Sequence, residues 1–516
     1  MVRAAFCAAL FFFATAFGAV AQDVTLTSHD GAVEISGTLK GFDGEFYRVD
    51  TVYGVLTVDG SGVRCEGPGC PSLTDFVAEL DFSGAGTIGE QLMPALLEAF
   101  ARRQGLTVTR EDMSDGFKAL LHERESGRLK ARFYFHLTNT DEGFADLFAD
   151  VADIAMAVRE VRRTELRHAR EAGLGDMTSR GRARVLALDA LVAVIAPGNP
   201  VAHVSVDELA QIFGGKINNW KVLGGPDAPI TLHLRDAKSG LGQAVEDRLL
   251  KPAGLTLGAE VVRHGDDAAL AKAVVADPFG IGVASFAARG NAQALVLTGS
   301  CGYALAPARR TVKTEDYPLT TPLFLYLPAR RLPKLAREFL SFTRSVPAQL
   351  VIRRAGFVDR QPEEISIDSQ GDRFANAVAG AGDEVGLGEL QDMVAALWGH
   401  KRLTTSFRFE AGSVKLDAQS RSNVAQLARE LEAGRYDGRR MIFAGFSDGD
   451  GPATGNKAIS ERRAKAVQRA VIEAAETANF DRVKMVIAGF GEAMPMACDD
   501  SAWGRQVNRR VEIWVK

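Results

Sequence analysis

The sequence predicts a multidomain α/β protein with a small N-terminal β module, a larger α/β region and a C-terminal α+β domain. Three observations predict it. The chain has 516 residues, and at roughly 100 to 200 residues per domain that length holds about three folded units. Hydrophobic periodicity changes along it, from alternation between Val24 and Val63 to mixed strand and helix patterns from about Phe76. A polar, Gly- and Asp-rich stretch from Asp359 to Gly388 then separates the middle region from a last run of alternating strands and helices. With 46% hydrophobic and 24% charged residues the composition is globular, which excludes a mostly disordered, collagenous or multi-span membrane chain. Lys+Arg 61 against Asp+Glu 65 leaves a net charge of −4, so the overall balance calls for no nucleic-acid partner.

Residues 1–21 read as a secretory signal: Arg3 supplies the positive start, Ala4 to Val20 is apolar, and Ala19-Val20-Ala21 is a small-residue cleavage site. Cys7 lies inside the apolar run, so a lipid-modified mature N-terminus is not expected. Residues 22–75 form the β module, with hairpin turns at Asp30-Gly31, Asp43-Gly44 and Asp59-Gly60. Cys65 and Cys70 enclose the turn-forming Glu66-Gly67-Pro68-Gly69 and are expected to pair in an oxidising compartment, stapling a unit too short to bury much surface. The pairing of Cys301 and Cys498 is left open. The eight His residues show no i, i+4 pair and no Cys-x-x-Cys occurs, so no metal site is expected.

Residues 76–358 carry two loops with the chemistry of anion sites. In the first, strand Ala78 to Phe82 runs into Ser83-Gly84-Ala85-Gly86-Thr87 with a helix from about Gly89; backbone N–H groups at such a helix start can hold an oxyanion, and a plain strand-to-helix turn has the same pattern. In the second, strand Ile230 to Leu234 ends in Arg235, and Asp236-Ala237-Lys238-Ser239-Gly240 opens a helix from Gln243 to Leu250. A guanidinium and a helix-start hydroxyl suit a tetrahedral oxyanion; Ser239 as an N-cap and Arg235 as an ion pair is the structural alternative. Residues 359–401 are the connector, with a short helical pattern from Leu390 to Leu397, and residues 402–516 the last domain. There, strand Met441 to Phe446 leads to Asp448, and Arg463 falls on the apolar stripe of the following helix with Ile459, Val467, Ala470, Val471 and Ala474. A charge on such a stripe needs a partner. The residues alone leave two readings open: an internal Asp448–Arg463 salt bridge, or two charges facing a groove that takes a zwitterion.

Leu209-Ala210-Gln211-Ile212-Phe213-Gly214-Gly215-Lys216-Ile217-Asn218-Asn219-Trp220, with Asn199-Pro200-Val201, Leu223-Gly224-Gly225, Arg235, Ser239-Gly240 and the late segment Lys313 to Leu319, resembles the phosphate-binding periplasmic proteins of ABC transport over about residues 78 to 356. The resemblance implies a two-lobed type 2 periplasmic-binding fold, with Thr87, Ile88, Thr140, Arg235, Ser239 and Gly240 lining the interlobe cleft. Two departures stand out. Leu241 replaces the family's Thr after Ser-Gly, and Arg159 falls where phosphate binders place an Asp. Arg159 cannot accept a proton from hydrogen phosphate, so the ligand class widens to phosphate or a related small anion.

Phe407-Arg408-Phe409-Glu410, Asp448, Asn456, Ile459-Ser460, Arg463-Ala464, Gly489-Phe490-Gly491-Glu492 and Asn508-Arg509-Arg510-Val511-Glu512-Ile513 resemble the C-terminal domain of outer-membrane protein A over residues 402–516. Phe446 and Ser447 stand where its pattern has His and Thr. The resemblance implies noncovalent binding to the diaminopimelate of peptidoglycan, with Asp448 and Arg463 as the charged pair and Asn456 and Arg509 in support.

Together these imply a periplasmic, peptidoglycan-associated binding protein at the outer-membrane face, with an ABC permease as a partner, no cofactor and no enzymatic activity; the chain shows no Gly-x-Ser-x-Gly elbow. A cell-wall-attached scaffold or sensor, whose two-lobed domain contacts a protein instead of a solute, is the alternative.

Overall fold

The computed structural model describes residues 23–73, 75–258, 260–382, 384–410 and 412–516; the signal segment, residues 1–21, lies outside them. The described residues fall into two compact units, one comprising the chain up to Ala78 with Arg331–Arg337, the other Glu79–Arg330 with Glu338–Lys516.

The first unit is a five-stranded antiparallel sheet in the order Gly54–Asp59, Phe46–Thr51, Glu34–Phe42, Asp23–Ser28, Val63–Glu66. Its Asp-Gly turns work through the side chains: Asp43 Oδ1 accepts from the N–H groups of Glu45 and Phe46 at 2.9 and 2.7 Å, while Gly44 takes φ +91°, a conformation costly for residues with a Cβ. Val24, Leu26, Tyr47 and Val49 make a small buried core. Cys65 and Cys70 are joined in a disulfide that closes its edge.

In the second unit, residues 79–358 build an eleven-stranded mixed sheet that is continuous through one strand, Ala183–Ile195. Its first half, Ala183 to Ala190, pairs with Thr320–Tyr326, and its second half, Leu191 to Ile195, pairs with Gly280–Ser285. Thirteen nearly all-apolar residues allow this, because the strand is covered along most of its length. One half-sheet holds Ala78–Ala85, the antiparallel ladder from Leu106 to Thr138, and Ile154–Ala157; the other holds Thr231–Arg235, Val262–His264 and Gly280–Ser285. This is the two-lobed arrangement expected from the sequence.

The C-terminal sheet runs in the order Glu364–Ile365, Lys401–Arg408, Arg510–Val515, Arg440–Phe446, Lys484–Gly489. Helices Ala418–Glu432 and Ala453–Ala474 cover one face through Leu427, Leu431, Val467 and Val471. The segment expected to be a connector covers the other: helices Gly371–Ala379 and Leu387–Leu397 place Ala377, Leu390, Met393 and Leu397 against Ile442, Phe446 and Trp514. The helical pattern expected at Leu390 to Leu397 is the second of these helices, and the Gly- and Asp-rich composition disguised the first, because a helix needs only a narrow apolar stripe to bind a sheet. Glu364–Ile365 even adds an edge strand.

Buried charges join this domain to the α/β region. Asp316 accepts two bonds from Arg402, at 2.7 and 3.0 Å, and lies 3.5 Å from Arg408. Glu512, fully buried, is in turn held by Arg373, Arg402 and Arg510. Cys301 and Cys498 form a disulfide across the same boundary, 197 residues apart in sequence. Among the described residues no helix is long and apolar enough to cross a membrane.

Candidate functional site

The two anion loops come together where the half-sheets meet. Ser239 and Gly240 begin helix Gly240–Val245 at the end of strand Thr231–Arg235. Thr87 and Ile88 begin the helical turns after strand Ala78–Ala85. The loops touch: a Cβ on Gly240 would lie 2.8 Å from the Ala85 Cβ, so glycine is what permits this approach. Thr140, fully buried, donates its N–H to Gln243 Oε1 at 3.0 Å, and its hydroxyl accepts from the Val158 N–H at 3.2 Å. Ser239 acts as the N-cap, its Oγ accepting from the Gly242 N–H at 3.0 Å and donating to the Asp236 carbonyl at 2.6 Å.

Arg235 is 7% exposed. It donates to Asp267 Oδ1 at 2.6 Å and to the Gly265 carbonyl at 2.9 Å, while its Nε is buried without a partner. One nitrogen of the guanidinium therefore stays without a partner among the described residues. Arg159 reaches the same seam with a different result. Asp141 and Glu165 bond its guanidinium, Asp247 lies 3.6 Å away, and Phe144 lies beneath it. Arg162 and Lys251 share Asp141 and Asp247 with Arg159, so its guanidinium sits within an ion-pair network. Glu90, Gln243 and Asp267 are seam residues that sequence reasoning missed. Burial raises the Glu90 carboxyl, partly offset by the Arg235 charge; an acid in the first turn after a Gly-rich loop was its one visible signal.

In the C-terminal domain, Asp448 follows strand Arg440–Phe446 and Arg463 lies in helix Ala453–Ala474. They do not pair. Asp448 Oδ2 accepts from Arg509 at 2.6 Å. Arg463, 4% exposed, has only the Ser413 carbonyl at 3.5 Å and the Phe409 ring 5.2 Å below its guanidinium. Among the described residues no carboxylate bonds it. Burial, then the neighbouring Arg509 charge, lowers its pKa from the ordinary value. Asn456 steadies the loop, donating to the Gly451 carbonyl at 3.2 Å and to Glu492 at 3.1 Å. Asp499, raised by burial, accepts from the Gly449 N–H and from Asn508, both at 2.8 Å. Asp448 and Arg463 thus present a carboxylate and a guanidinium that do not bond each other, a set that suits a ligand carrying ammonium and carboxylate together. Phe409 and Arg509 also line a cavity of about 350 Å³ whose far wall includes Arg248 and Glu315 of the α/β region.

Comparison with known proteins places both halves. The model of the PBP superfamily domain matches residues 87–346, and that of the OmpA family matches residues 408–509. Protein SphX of Synechococcus elongatus is 28% identical over 327 residues, covering 60% of this chain and 93% of that protein. The phosphate-binding protein PstS of Borreliella burgdorferi is 25% identical, covering 42% of this chain and 75% of its own length. A peptidoglycan-associated lipoprotein of Pseudomonas aeruginosa is 33% identical over 140 residues, 27% of this chain and 75% of that one.

Proposed function

The chain belongs to the PBP superfamily over residues 87–346 and carries an OmpA-family domain over residues 408–509, and from that premise we propose that it binds phosphate or a related small anion while held noncovalently on peptidoglycan. Arg463 carries the reading. A cation this buried, with a ring beneath it and no carboxylate bonded to it, costs stability unless a ligand completes it. A diaminopimelate carboxylate on Arg463 and its ammonium on Asp448 do so, with Arg509 and Asn456 holding the groove in shape.

For the anion, Thr87, Ile88, Thr140, Ser239 and Gly240 frame the seam, and the unpartnered Nε of Arg235 is the donor it offers. PstS is a phosphate-binding protein, and we extend that to a non-enzymatic binding role here, with a permease as the receiver of the solute. The place of action is the periplasm at the peptidoglycan layer, at its outer-membrane face.

Two measurements on the mature chain test this. Cosedimentation with isolated peptidoglycan should be strong for the wild type and lost in Arg463→Gln; retention by the variant removes the wall-binding assignment. Thermal unfolding against phosphate, sulfate, phosphonates and small carboxylates should show stabilisation by one of them, about 2.7 kcal/mol at a hundredfold excess over Kd. A flat response across the panel removes the solute and leaves the scaffold reading.

A further inference from the structure

A second basic cavity lies apart from both sites, between helix Ala418–Glu432 and the segment Thr178 to Val185, with a volume of about 430 Å³. Six arginines line it. Two are balanced: Arg180 by Glu476 at 2.9 Å and Arg421 by Glu160 at 2.7 Å. The other four, Arg184, Arg344, Arg360 and Arg429, have no carboxylate within 4 Å among the described residues. Arg360 donates only to neutral acceptors, the Val185 carbonyl, Ser422 and Asn423 at 2.8 to 3.0 Å. Arg184 Nε is buried with no partner. Burial, with repulsion from Arg344 and Arg429, lowers Arg184 to about 10, and burial with Arg429 lowers Arg360 to about 9.

Like charges held around one cavity, two of them half-buried, oppose folding. An oxyanion with more than one negative charge reverses that balance, and forked guanidinium donors match its tetrahedral oxygens. Leu416, Val424, Ala470 and Ala474 give the cavity an apolar side, while Thr343, Ser422 and Glu432 are polar parts of its lining. The size falls within the range of small-molecule sites. We propose that this cavity is a second anion site, independent of Arg235, which takes a phosphate monoester with an apolar substituent, its phosphoryl group on Arg184 and Arg360 and its carbon chain against Leu416 and Val424. Arg344 and Arg429, exposed at the rim, draw the anion in.

The test is calorimetric titration of the full mature chain with hexyl phosphate, alongside flotation on phosphatidic acid vesicles. Arg344→Gln/Arg429→Gln changes only exposed side chains and should weaken hexyl phosphate by about tenfold or more, as expected for losing two charged contacts. The ligand-free double variant should be no less stable than the wild type, because repulsion is relieved. Titration without flotation identifies a soluble ester, and both together a lipid headgroup. No binding of hexyl phosphate by the wild type, or equal binding by the double variant, overturns the proposal. A ligand-free double variant that is less stable than the wild type also overturns it, since that result gives the arginines a structural role.

Discussion

Replacing Asp316 by Asn removes the central charge of the boundary between the α/β region and the C-terminal domain. The Asp316 side chain is 4% exposed, and those of Arg402 and Arg408 are 2% and 5% exposed. Breaking a buried pair costs about 3–5 kcal/mol because the surviving cation is left uncompensated. Arg402 keeps Glu512 at 3.3 Å, so we expect the lower end, about 3 kcal/mol. Burial alone would raise the Asp316 carboxyl, but the Arg402 charge and hydrogen bonds outweigh it and hold the group below its ordinary 3.8. Its contribution is therefore present above the unfolded value and lost as pH falls through the folded one, so wild type and variant should converge in acid. Urea unfolding of the mature protein at pH 7 measures the loss by linear extrapolation. Asp316→Leu with Arg402→Met should recover most of it, because Glu512 still has Arg373 and Arg510. A loss below about 1 kcal/mol for Asp316→Asn, the worth of an exposed pair, would refute the reasoning.

Three further outcomes follow from the same structure. Cys301→Ser/Cys498→Ser opens a crosslink spanning 197 residues and should lower unfolding free energy by about 2–4 kcal/mol, read by urea unfolding against the oxidised wild type. Burial, reinforced by Asp417, pushes the Glu315 carboxyl up to about 7; wild-type stability should fall as pH rises from its ordinary 4.5 toward 7, and Glu315→Gln should be the more stable protein at pH 8 with the gap closing below pH 4.5. Gly240→Ala places a methyl 2.8 Å from the Ala85 Cβ, and should cost about 1–3 kcal/mol by forcing the two loops apart, measurable by thermal unfolding.

The candidate residues stand out in the sequence because they are local. Strand Arg440–Phe446, Asp448 and the helix bearing Arg463 lie within one short stretch, and the charge on an apolar stripe marks itself. The same is true of Arg235 and Ser239 at a strand-to-helix turn, and of Cys65 and Cys70 across a Gly-Pro-Gly turn. What local pattern could not supply was the choice of partner. Asp448 has two arginines of the same motif to choose from, and packing gave it Arg509 and left Arg463 open. The partners of Arg159, namely Asp141, Glu165 and Asp247, likewise come from three separate elements.

The sequence by itself determined the mixed α/β, multidomain fold class and the Cys65–Cys70 pairing, because periodicity, turn chemistry and short motifs act over a few residues. Only the tertiary structure decided that residues 371–397 cover a sheet face, that Asp316 and Arg402 join two domains, that Cys301 meets Cys498, and that four arginines with no bonded carboxylate among the described residues share one cavity. Each of these is a contact between segments far apart in the chain, and charge neutralisation depends on distances of a few ångströms that no spacing in sequence encodes.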